Sequence, residues 1–116
     1  MKGTLKMTMK YKKIELSFEQ YKMLKEVLNL SQNIVSNLGF IDEYNLDYDS
    51  LKTKLEIFEE NNKYFLHGDI YNISELSIIV YDYLIYCGFD ENYEPNEKGK
   101  ILENLVDLLD DKIEKD

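Results

Sequence analysis

"LEIFEENNKYFL" (Leu55–Leu66) decides what kind of fold this chain can have. Two readings compete. In the first, Leu55 and Phe58 continue an apolar stripe begun at Tyr48 and Leu51, so the stretch ends a second helix capped by Asp47 or Asp49. That helix stops near Glu60–Asn62, because asparagine favours turns. In the second, Asn61 and Asn62 form the turn of a β-hairpin. The helical stripe is the preferred reading and the hairpin the alternative.

Upstream, "YKKIEL" (Tyr11–Leu16) alternates weakly and reads as a short strand. Downstream, Tyr64, Phe65 and Leu66 are strand-like, and His67-Gly68-Asp69 reads as a turn. These two segments can pair with each other. Two strands alone are marginal, so such an element has to pack on helices.

Helical signals are stronger. Ser17 with Gln20 has the pattern of a capping box. Tyr21, Leu24, Leu28, Ser31, Val35 and Leu38 then recur at spacings of three or four, and Gly39 closes a helix over 18–38. A further helix starts at Asn72 or Ser74. Ile73, Leu76, Val80, Leu84 and Cys87 share one face, and Ile78, Ile79, Tyr81, Ile85 and Tyr86 cover much of the rest. A helix apolar nearly all round is buried on most sides or meets another subunit. The last helix, 97–113, repeats Ile101, Leu102, Leu105, Leu108, Leu109 and Ile113 at helical spacing, with Glu97, Glu103, Asp107, Asp110, Asp111 and Glu114 on the other side. The expected fold class is therefore mostly α: three or four helices around one core, with at most a small two-stranded β element. An α+β fold is the runner-up.

At 116 residues the chain has the size of one domain, and 44% hydrophobic residues are too many for a disordered chain despite a net charge of −9. Charge is uneven. Residues 1–13 hold five of the 14 lysines and no acid; the remainder carries all 23 acids. The expected organisation is a loose basic tail over 1–13 and a single acidic domain over 14–116. No apolar run reaches the ~18 residues of a membrane helix, and no apolar segment follows the first lysines as in a signal peptide. The single cysteine, Cys87, points to the cytosol as the default compartment. Arginine is absent altogether. Arginine grips phosphate and guanine bidentately, so its absence on an acidic body argues against nucleic-acid binding.

"GFDENYEPNEKGK" (Gly88–Lys100) contains the only proline. As a calcium loop starting at Asp90 it fails where the demands are greatest. Pro95 stands where glycine must turn the chain, and Ile101 stands where glutamate must ligate. It lacks the Gly-Lys-Ser/Thr of a phosphate loop. It reads as punctuation: Gly88 ends one helix, Asn92–Asn96 turn, and Asn96 caps the next, with Glu97 at its positive end. Gly99 in that helix is a weakness of about 1 kcal/mol relative to alanine.

Candidate chemistry is sparse. His67 has no nucleophile beside it, and Cys87 on an apolar helix face behaves as a small hydrophobe. One histidine and one cysteine make no structural zinc site. Neighbouring carboxylates on a helix diverge by about 100° and form a solvated face rather than a proton-sharing pair. Ten tyrosines are the more suggestive feature, since tyrosine is enriched at protein interfaces. The function expected is a non-enzymatic, acidic protein-binding module without metal or cofactor. It would neutralise a basic partner, as immunity proteins, antitoxins and phage inhibitors of nucleic-acid enzymes do. The expected partner-binding residues are Asp42, Glu43, Tyr44, Asp47, Tyr48 and Asp49, then Asp90, Glu91, Tyr93 and Glu94. The alternative is a self-assembling protein, a homodimer through the helix at 73–87.

Overall fold

A computed structural model describes residues 10–30 and 48–114. In chain order these form β1 (Tyr11–Leu16), α1 (Phe18–Val27), α2 (Tyr48–Thr53), β2 (Leu55–Glu60), β3 (Lys63–Asp69), α3 (Ile70–Cys87) and α4 (Glu97–Glu114). The three strands make one antiparallel sheet in the order β1-β3-β2. The fold class is therefore α+β, and the expectation of a mostly α protein with at most two strands is corrected.

The correction comes from Leu55–Leu66. Asn61 and Asn62 both take positive φ, 53° and 66°. Two left-handed residues in a two-residue loop give a turn whose twist matches that of the flanking strands, and asparagine adopts this region with little penalty. The hairpin then zips from Glu60↔Lys63 to Leu55↔Gly68. Period two wins over period 3.6 because β2 meets a partner strand. Leu55 is buried and Ile57 half-buried on the side of buried Leu66, while Phe58 pairs with Phe65 on the other face. The helix that was to run to Glu60 is kept to α2, which ends as Lys54 N–H donates to the Leu51 carbonyl at 2.9 Å.

β1 pairs with β3 as the two segments were expected to, Ile14 opposite Leu66. Tyr11, Lys12 and Lys13, assigned above to the basic tail, form the first half of this strand. His67-Gly68-Asp69 is not a turn but the end of β3. Asp69 caps α3 instead, its Oδ1 accepting the Tyr71 N–H at 3.3 Å, so the helix starts at Ile70 rather than at Asn72 or Ser74. Gly68 lies where a Cβ would stand 2.6 Å from Leu55 Cδ2, so a side chain there would require the end of the Leu55 side chain to move.

α1 has the expected capping box. Ser17 Oγ accepts from Gln20 N at 3.1 Å, and Gln20 Oε1 accepts from Ser17 N at 2.8 Å. The helix ends at Val27, well short of 38. Asn29 and Leu30 N–H groups donate to the carbonyls three residues back, which tightens and closes the last turn. Residues 31–38, and Gly39, lie outside the described residues.

α1 and α3 cover the sheet face that carries Ile14, Leu16 and Leu66, and α4 packs on α3 through Leu102, Leu105 and Leu109. Among the described residues, seventeen hydrophobic side chains are buried in this one core. Full burial of a leucine or isoleucine stabilises by about 1.5–3 kcal/mol. On the opposite sheet face Lys13 Nζ sits 4.4 Å from the Phe65 ring centroid and pairs with Glu60 at 2.8 Å. Among the described residues no helix is long and apolar enough to cross a membrane.

The junction of α3 and α4 is unusually close. A Cβ on Gly99 would stand 1.9 Å from the Gly88 carbonyl oxygen, so backbone meets backbone. Gly99 is thus a packing requirement rather than the mild weakness its helix propensity implied. Gly88 caps α3 with φ −93°, in the right-handed region, so its smallness matters here and not left-handed freedom. Asn96 binds the junction from both sides. Its Oδ1 accepts Gly99 N–H at 2.7 Å, and its Nδ2 donates to the Cys87 carbonyl at 3.0 Å.

Candidate protein-binding surface

The connection between α3 and α4 is held by Asp90. Its Oδ1 accepts the N–H groups of Asn92 (2.8 Å) and Glu94 (3.0 Å). Its own N–H donates to the Glu94 carbonyl at 2.9 Å, and Phe89 bridges to Pro95. The loop this forms lifts Tyr93 to its tip. Tyr93 has φ 62° and is 88% exposed. A bulky side chain in the left-handed region costs about 1–3 kcal/mol and persists only where surrounding contacts enforce it. Glu91 and Glu94 stand exposed beside it.

Tyr93 does not stand alone. With Ile85 and Phe89 it borders a depression of about 440 Å³. Ile85 belongs to a face of α3 that also carries Tyr71, Ile78 and Tyr81, at spacings of seven, three and four. Tyr71, Tyr81 and Ile85 are all exposed. Farther along this face a groove of about 450 Å³ runs between α3 and α4, walled by Ile78 and Tyr81 on one helix and Val106 and Ile113 on the other. Ser77 Oγ donates to Asp110 Oδ1 at 2.7 Å and ties the two walls together. The buried carboxylate of Asp82 also borders it.

A second cluster joins three helices. Tyr83 Oη donates to Glu26 Oε2 at 2.6 Å, and Lys98 Nζ donates to the same oxygen at 2.5 Å. Lys98 Nζ also lies 3.3 Å from the Tyr83 hydroxyl. Burial and the hydrogen bond to Glu26 push the Tyr83 phenol well above its ordinary value of 10.0. The bond to Glu26 holds the Lys98 ammonium above its ordinary 10.5, against the opposing effect of burial. Burial would raise Glu26, but hydrogen bonds from Lys98 and Tyr83 and the lysine charge together bring it below 4.5. Tyrosine and lysine thus both stay protonated near neutrality, so neither is poised as a general base. The cluster is a clasp between α1, α3 and α4.

Of the expected partner-binding residues, Asp90, Glu91, Tyr93 and Glu94 are brought together in the α3–α4 loop, with Asp90 engaged in building it. Asp42, Glu43, Tyr44 and Asp47 lie outside the described residues, and Tyr48 and Asp49 open α2. His67 lies in β3, stacked on Tyr11 with centroids 5.5 Å apart and its Nδ1 3.2 Å from Glu56. Cys87 Sγ donates to the Tyr83 carbonyl at 3.4 Å; burial pushes the thiol up, with Tyr83 and Lys98 pulling the other way. A thiol with raised pKa is a poor nucleophile. Among the described residues no group of three histidine, cysteine or acidic side chains is placed to hold a metal ion. The sequence reading offered the helix at 73–87 as a subunit interface but did not join Tyr81 and Ile85 with Val106 and Ile113 of the last helix into one surface. Their signal was present, since Ile78, Tyr81 and Ile85 extend the apolar character of α3 beyond the face its core requires. Comparison of the chain with family models, with curated proteins and with solved structures gives no match.

Proposed function

We propose that this protein is a non-enzymatic protein-binding module whose acidic, tyrosine-bearing surface engages and neutralises a basic partner. The observation that carries the reading is Tyr93, 88% exposed at the tip of an acidic loop and continuous with exposed Ile85 and Tyr81 on α3. Exposed aromatic and aliphatic side chains ringed by charge make an interface centre with a polar rim. Rigid display of the tyrosine lowers the ordering cost of association. A net charge of −9 favours encounter with a cationic protein and disfavours nucleic acid. Inhibitors, antitoxins and immunity proteins act in this way. A single cysteine, left as a free thiol, fits a reducing, cytoplasmic setting.

The test is capture from nuclease-treated lysate of the source cells, eluted by a salt gradient, with the wild type and a Tyr93→Ser/Ile85→Ser variant side by side. One stoichiometric basic protein, released by salt from the wild type and missing from the variant, is the expected result. Equal recovery by both removes this surface from the interface. A homodimer through α3 gives a different result: bait alone in the eluate, and twice the monomer mass by light scattering.

A further inference from the structure

α4 carries a row of carboxylates whose placement matters more than their number. Glu103, Asp107, Asp110 and Glu114 follow one another at spacings of four, three and four, and all are exposed. They occupy the flank of α4 next to Val106 and Ile113, which wall the α3–α4 groove. Asp110 itself borders the groove, and Glu103 and Asp107 border its continuation along Tyr81. The groove thus has apolar walls and one anionic lip about 16 Å long at 1.5 Å per residue.

We propose that this groove seats a cationic amphipathic helix of a partner protein. The inference rests on the protein-binding reading above and specifies the partner's chemistry. An amphipathic helix lays apolar side chains into a groove at i, i+3, i+4 and i+7. The same period sets its lysines or arginines against carboxylates four, three and four residues apart. A second copy of this chain fits less well, because a two-fold contact through the groove would set the carboxylate row of one copy near that of the other.

The probe is an 18-residue fluorescein-labelled peptide of leucine and lysine arranged with helical period. A scrambled peptide of the same composition and a patterned peptide with glutamate for lysine serve as comparisons. Binding is read by anisotropy and mapped by amide chemical shifts on the full chain. The patterned cationic peptide is expected to shift the amides of Ile78, Tyr81, Val106 and Ile113. The scrambled peptide is expected to bind at least about tenfold more weakly, and so is the patterned one to an Asp107→Lys/Glu114→Lys variant. Both substitutions are at exposed positions outside the Ser77–Asp110 contact. No binding, equal binding of the scrambled peptide, or shifts confined to other surfaces overturns the proposal. So does a concentration-dependent rise in mass that the charge reversal strengthens, which assigns the groove to a second copy. Full retention of the captured basic protein by the Asp107→Lys/Glu114→Lys variant removes the groove but leaves the protein-binding reading standing. Failure of the wild type to capture any partner removes that reading itself.

Discussion

Gly99 and Gly88 touch through their backbones, and no Cβ fits between them: one on Gly99 would stand 1.9 Å from the Gly88 carbonyl oxygen. This contact sets how closely the start of α4 approaches the end of α3. It therefore positions the walls of the groove and the base of the Tyr93 loop. Gly99→Ala gains about 1 kcal/mol of helix propensity but forces backbone to move, and overpacking typically costs about 1–3 kcal/mol or more. The clash is with a main-chain oxygen that cannot rotate away, so the loss prevails. Urea denaturation is expected to show a net loss of about 1–2 kcal/mol. A midpoint equal to or above the wild type would contradict the close approach.

The Asn61–Asn62 turn makes a second, opposite test. Asn62 has φ 66°, where glycine rests without strain and a β-branched residue does not. Asn62→Gly should stabilise the fold by about 0.5 kcal/mol, and Asn62→Val should destabilise it by about 1–2 kcal/mol. Had the stretch been helical, glycine would weaken it and valine, close to asparagine in helix propensity, would change it little. Denaturation midpoints of the two variants thus separate hairpin from helix.

How much of this architecture the sequence carried depends on how local each cause is. The capping box at Ser17 and Gln20, the cap at Asn96 and the amphipathic α4 arise from neighbours three or four residues apart, and they stand where expected. The hairpin was misread because Leu51, Leu55 and Phe58 satisfy a helical period, while their strand partner is decided by Asn61 and Asn62 and by pairing with β3. α3 began earlier than expected because Asp69 was counted in a turn. Gly99 was misjudged because its neighbour Gly88 lies across a helix junction. The acidic loop at Asp90–Glu94 was legible as a surface. The groove was not, because it needs Val106 and Ile113 of α4 beside Ile78 and Tyr81 of α3.

The Glu26–Tyr83–Lys98 clasp predicts a particular dependence on pH. Glu26 has a lowered pKa in the folded protein, so its contribution is present above its ordinary 4.5 and is lost as the pH falls through the folded value. Lys98 and Tyr83 have raised values, so theirs are present below their ordinary 10.5 and 10.0 and are lost at higher pH. Glu26→Gln should therefore flatten the acidic limb of the stability profile below about pH 4.5. Tyr83→Phe should flatten the alkaline limb above about pH 10, and it should cost about 1 kcal/mol at neutrality for the lost hydrogen bond. Urea midpoints measured from pH 3 to pH 11 on the three proteins check this. Profiles parallel to the wild type would show that the clasp does not couple folding to these protons.

Tyr93 sets stability against function. Its φ of 62° strains a bulky residue, yet with 88% of the residue exposed its ring adds little burial in return. Tyr93→Gly should relieve that strain. Glycine's freer unfolded chain offsets part of the gain, which leaves a stabilisation of about 0.5–1 kcal/mol. The loop itself should persist, since Asp90 and the Phe89–Pro95 bridge hold it without the ring. The same variant should lose capture of the basic partner, because the exposed anchor is gone. A residue that weakens the folded chain and contacts little of it is best accounted for by something outside the chain. Denaturation and capture measured on one preparation decide the matter. A more stable variant that still binds would make Tyr93 dispensable, and a less stable one would mean that the ring supports the loop after all.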